Sequence, residues 1–146
     1  MNRLIVLIHL LAVIVWVGGM FFAHVCLRPV AAAQLPPPQR LPLLAAVLGR
    51  FFVAVGVALL LLWGSGLVRF AQVGAEIPVH WHAMLGLGSV MTIIFAVIVL
   101  RFYCPMLVAL AAQDWPQAGK AMNSIRVLVL TNLILGFVTV AVAMLG

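Results

Sequence analysis

The chain has 146 residues, enough by length for one modest soluble domain. Composition excludes that: 67% of the residues are hydrophobic and 7% charged, against about a quarter charged in a soluble domain, and the mean hydropathy of +1.33 makes lipid the solvent. The net charge of +6 does not mark a nucleic-acid binder either, because Arg3, Arg28, Arg40, Arg50, Arg69, Arg101, Lys120 and Arg126 stand singly at the ends of apolar runs, where cations meet lipid headgroups.

Crossing the hydrocarbon core takes about 20 apolar residues in a helix. Four runs qualify, over about 4–26, 43–70, 81–103 and 127–145. They predict an all-α polytopic membrane protein, a single four-transmembrane-helix bundle with almost nothing outside the bilayer. Residues 31–42 hold Pro36, Pro37, Pro38 and Pro42, so that stretch is not expected to be helical throughout. Ala31, Ala32 and Ala33 resemble a small-residue cleavage site. The apolar run before them is some 20 residues, longer than the roughly 7–15 of a signal peptide, so the first segment is read as a true membrane helix. Gly74 to Pro78 make a short turn before the third helix. Asp114 followed by Pro116 is a helix-start signal, predicting a short interfacial helix over about 116–123.

Lys and Arg set the orientation. The side with the first and third connections carries six of them, the opposite side only Arg3 and Arg69. This puts those connections in the cytoplasm and both termini outside, in the periplasm for a bacterial inner membrane. Small residues mark helix contacts: Gly19 and Ala23 on the first helix, Gly49 and Gly56 in heptad step with Trp63 on the second, and Asn132, Gly136, Thr139 and Ala143 on the fourth.

An ionisable residue inside a membrane helix is costly and marks function by default. His9 lies two turns into the first helix, and His80 and His82 open the third, which enters from the same side. Imidazole is a common axial ligand of haem iron. His9 and His82 could therefore face each other across a gap and hold a haem b, with His80, Met84 or water as other second ligands. Gly86 and Ser89 follow His82 on its face and leave room for a porphyrin. Trp16 follows His9 and offers a flat wall, and Arg3 and Arg69 could pair with propionates. The bland alternative is that each His hydrogen-bonds a nearby carbonyl, with His80 beside Trp81 in an interfacial aromatic belt.

His24 is about 22 Å from His9 along the helix axis, too far to share a metal. With Cys26, Cys104, Met106 and Met122 it forms a second set, soft enough for copper(I), although Cys and Met are also ordinary packing residues. Two cysteines do not make a disulfide framework. The only acids, Glu76 and Asp114, fall in connections, which speaks against a carboxylate proton relay.

The residues Ile8-His9-Leu10-Leu11 through Val15-Trp16-Val17-Gly18-Gly19-Met20-Phe21 to Leu27-Arg28-Pro29 resemble the first helix of CopD-type membrane proteins. They are similar too to HemJ-type protoporphyrinogen oxidases. Gly64-Ser65-Gly66-Leu67, Trp81-His82-Ala83-Met84-Leu85 and Lys120-Ala121-Met122-Asn123 extend the likeness. The resemblance implies a four-helix core and, for the HemJ type, haem b with electrons passed to a quinone or the respiratory chain. In it His9 matches the first-helix histidine, and His82 falls in a similar Trp-x-His stretch. Met84 stands where the HemJ type has Lys, and Asn123-Ser124-Ile125-Arg126 stands where it has Asn-Glu-Pro, which removes residues that the oxidase carries. The expectation is thus a haem b-binding, quinone- or respiratory-chain-linked redox protein. A copper-handling protein and a non-catalytic membrane subunit or assembly factor remain as alternatives, and a homodimer is open.

Overall fold

In lipid a backbone has no water to pair with, so an apolar segment must satisfy its own N–H and C=O groups as a helix. A computed structural model describes residues 2–146 and, among them, holds four long helices and no strand. They are α1 (Arg3–Gln34), α2 (Pro37–Val73), α3 (Val79–Ala111) and α4 (Trp115–Leu145), each long and apolar enough to cross a membrane. The chain is an all-α, multi-pass membrane protein.

The helices overrun the expected ends. At 32, 37, 33 and 31 residues they exceed the roughly 20 that the hydrocarbon needs, so several turns project beyond it. The stretch 31–42 is helical except at Leu35 and Pro36. The reason is positional: Pro37 and Pro38 open α2, where an N–H would have no intrahelical partner. Only Pro42 lies inside the helix. The expected interfacial helix over 116–123 is not separate but forms the first turns of α4. Asp114 does cap it, accepting a hydrogen bond from the Gln117 N–H at 3.3 Å, and Asn2 caps α1 in the same way. Gly74, with φ at 74°, ends α2 in a conformation that favours glycine.

Prolines also explain a device repeated in α1 and α3. Pro29 and Pro105 have no N–H to donate and would press on the carbonyl four residues back. In each helix a widened π turn, Phe22–Leu27 and Ile98–Tyr103, stands just before the proline and removes that conflict.

α1 packs chiefly on α2 and α3 chiefly on α4, while α4 also meets α1 and α2. α1 and α3 are diagonal, joined by side chains: Trp16 meets Phe95 edge to face, Phe95 meets Phe52, and Phe52 meets Tyr103. The tightest core lies toward the arginine-rich end, around Leu41, Leu44, Leu48, Met106, Met122 and Ile125. Two small residues from the sequence reading set helix approach there. A β-carbon on Gly19 would overlap the Phe51 ring, and one on Gly49 would stand 2.5 Å from the Tyr103 hydroxyl, which donates to the Ala45 carbonyl at 2.9 Å. Gly56 makes no close approach. Asn132 is fully buried and ties α4 to α3, its Nδ2 donating to the Met91 carbonyl at 3.1 Å.

Candidate functional site

Toward the opposite end the bundle is looser and encloses a cavity of about 210 Å³ that all four helices line. From α3 it takes Trp81, Met84, Gly88 and Met91, residues three or four apart and so on one helix face. α1 contributes His9, Val13 and Trp16; α2 contributes Trp63, Gly66, Arg69 and Phe70; α4 contributes Gly136, Thr139 and Ala143. Leu10, Leu67 and Met144 also line it and are exposed, Met144 at 78%. The rim therefore faces the acyl chains sideways.

Most polar groups on the wall are already used. The Trp63 indole N–H donates to Thr92 Oγ1 at 3.2 Å, and the Thr92 hydroxyl donates to the Gly88 carbonyl at 2.7 Å. The Thr139 hydroxyl donates to the Leu135 carbonyl at 2.7 Å. His9 and Arg69 are the ionisable residues of the wall. The Arg69 guanidinium lies 4.7 Å over the Trp81 ring, a cation–π contact at the mouth, where both residues also border a recess with Asn2, Gln72 and Val73.

His9 is tied to α2 through its ring. Its Nδ1 is 2.9 Å from the oxygen of the buried Ser65. The Ser65 hydroxyl also lies 2.6 Å from the Leu61 carbonyl and 3.2 Å from the Leu62 carbonyl, and a proton directed to either leaves the serine oxygen to accept from the imidazole. In that tautomer Nδ1 carries the hydrogen and Nε2 keeps its lone pair. Among the described residues no hydrogen bond engages Nε2.

Of the residues expected at the site, the cavity takes His9, Trp16 and Arg69. The others do not line it. His82 is exposed, with Nδ1 3.3 Å from the Pro78 carbonyl and its ring 6.1 Å from Phe70. Gly86 and Ser89 share its face, as expected, but the Ser89 hydroxyl turns to the Leu85 carbonyl and neither lines the cavity. The cause is angular: two residues turn a helix by about 200°, so the face with His82 points away from the one with Met84. His80 packs beside Gly146 at the end of α4, and Arg3 is exposed. Trp81 is a wall of the cavity as well as an interfacial residue.

The second set does not converge. Cys26 and Cys104 are exposed, His24 is half-buried and Met106 is wholly inside. Among the described residues, no three His, Cys, Asp or Glu side chains come together to hold a metal ion. The cavity's lining sets one imidazole, the Met84 thioether on another helix, flat aromatic walls and a cation at the mouth around one space. Sequence reasoning missed Ser65, Trp63 and Thr92. The signal for the α3 wall was present in the spacing of Trp81, Met84, Gly88 and Met91.

Compared with protein-family models, with curated proteins and with solved structures, the chain finds no match. The likeness to CopD-type and HemJ-type proteins is carried by the motif residues alone.

Proposed function

We propose that this chain is a haem b-binding protein of the bacterial inner membrane, a small redox carrier linked to a quinone or the respiratory chain, with His9 as its iron ligand. One observation carries the reading: a histidine that lines an apolar cavity is held through Nδ1 by a buried serine. Metal-binding histidines are regularly oriented by a hydrogen bond from the other ring nitrogen. With His9, Met84 would hold the iron, a His/Met pair of the kind that raises a haem's potential, and Arg69 would meet propionate charge. When bound, the group supplies one-electron chemistry. Ser65 fixes the imidazole plane, and Trp16, Trp63 and Phe70 keep water away. The enclosed volume is below the roughly 300–1,000 Å³ of sites that surround a drug-sized ligand. A macrocycle on His9 therefore shares an edge with lipid at the Leu10, Leu67 and Met144 rim.

The test is an optical spectrum of the detergent-purified protein from haem-replete cells, oxidised and then dithionite-reduced. A b-type α-band is expected in the wild type and in His82→Ala. It is lost in His9→Ala and shifted in Met84→Leu. A flat wild-type spectrum, or a band that survives His9→Ala, sinks the reading and leaves a non-catalytic membrane subunit as the role to pursue.

A further inference from the structure

At the end opposite the cavity, positive charge converges without an acid to meet it. Arg28 lies near the end of α1 and Arg40 near the start of α2, and only Leu35 and Pro36 interrupt the helices between them. α4 packs on the π turn of α1 and brings Arg126 to the same place. Arg28 is within electrostatic range of both Arg126 and Arg40, and His24 of Arg28 and Arg126. The Arg126 Nε is buried and has no hydrogen-bond partner. Arg40 reaches only the Leu35 carbonyl, at 3.5 Å. Neither acid of the chain offsets the cluster. Glu76 lies in the α2–α3 connection at the far end. Asp114 is twelve residues before Arg126, about 18 Å along α4, where it caps the helix.

Three guanidiniums from three helices repel one another unless an anion sits among them. Depth identifies its chemistry. From Arg126 to Leu145 is about 28 Å of helix, close to the roughly 30 Å of hydrocarbon, so Arg126 stands at the level of lipid phosphates. Guanidinium forks match phosphate oxygens in pairs, and basic pockets between membrane helices hold phosphorylated headgroups. We infer that Arg28, Arg40 and Arg126, with His24 beside them, form a binding site for a phosphate-bearing anion at the arginine-rich face of the bundle. The anion is a phospholipid headgroup or a soluble phosphate compound, two sources with one chemistry.

Thermal unfolding of the full chain separates them. In a neutral glycoside detergent free of phospholipid and phosphate, Arg28→Gln and Arg126→Gln are expected to melt above the wild type, because each relieves a like-charge contact. Adding phosphatidylglycerol raises the melting temperature of the wild type and of Arg101→Gln, an exposed arginine outside the cluster, but not that of the two cluster variants. Should a Gln variant fail to fold, Arg28→Lys keeps the charge, loses the fork and binds phosphatidylglycerol more weakly than the wild type. Inorganic phosphate that reproduces the shift without phosphatidylglycerol assigns the site to a soluble compound; a shift with the lipid alone assigns it to a headgroup. No shift with either probe, or the same shift in every variant, overturns the site.

Discussion

A single proton decides what His9 can do. Had the Ser65 hydroxyl pointed at the imidazole, Nδ1 would be the acceptor and Nε2 would carry the hydrogen, useless as a ligand. A hydroxyl proton directed to the Leu61 or Leu62 carbonyl, at 2.6 and 3.2 Å, leaves Nε2 open instead. Ser65→Ala removes this arrangement while leaving the cavity walls in place. Losing such an orienting partner typically weakens metal binding by about 10–100-fold. Haem titrated into the apo-protein should show that loss in Ser65→Ala, and Ser65→Ala binding haem as tightly as the wild type would remove Ser65 from the site. His9 itself was legible in the sequence as a buried ionisable residue in an apolar helix. Ser65 was not, because Ser and His pair across two helices and 56 positions, and no local pattern announces that contact.

Helix existence was easier to read than helix extent. Hydropathy located all four crossings, since only a helix hides its backbone in lipid, but it is silent where a helix leaves the bilayer. Prolines misled there: a run of them forbids a helix interior yet suits a helix start. Pro42 is the exception and carries a real cost. Its ring replaces the N–H that would reach the Pro38 carbonyl, and a proline in a helix interior costs about 3 kcal/mol. Pro42→Ala is therefore expected to stabilise the protein by up to that amount, read as a higher melting temperature in detergent with an unchanged helical circular dichroism spectrum. A lower melting temperature would show that the Pro42 ring is needed to seat Leu41, Leu44 and Ala45 in the core. The facing of α3 was ambiguous for a similar reason. His82, Gly86 and Ser89 form a stripe as regular as Met84, Gly88 and Met91, and only packing against the other helices chooses between them.

At the scale of the whole molecule the bundle divides into two halves with different work. The arginine-rich half carries the dense core, with Met106 and Ile125 almost wholly buried, and the three clustered guanidiniums. The other half is held apart by Trp16, Trp63 and Trp81 around the His9 cavity. Orientation then decides which compartment each site meets. Six cations lie toward the end of the bundle that holds the α1–α2 and α3–α4 connections, against Arg3 and Arg69 at the other end, so the positive-inside rule predicts a cytoplasmic cluster and a His9 cavity near the periplasm. Reporters fused after Gly146 test this: alkaline phosphatase should be active there and green fluorescent protein dark. The opposite pattern would turn the cavity to the cytoplasm and point the search for its electron donor to soluble reductants on that side. It would also put Arg28, Arg40 and Arg126 against the outer leaflet, where a headgroup but not a cytoplasmic phosphate compound could reach them. The two sites are thus linked by topology alone, and one pair of fusions fixes the compartment of both.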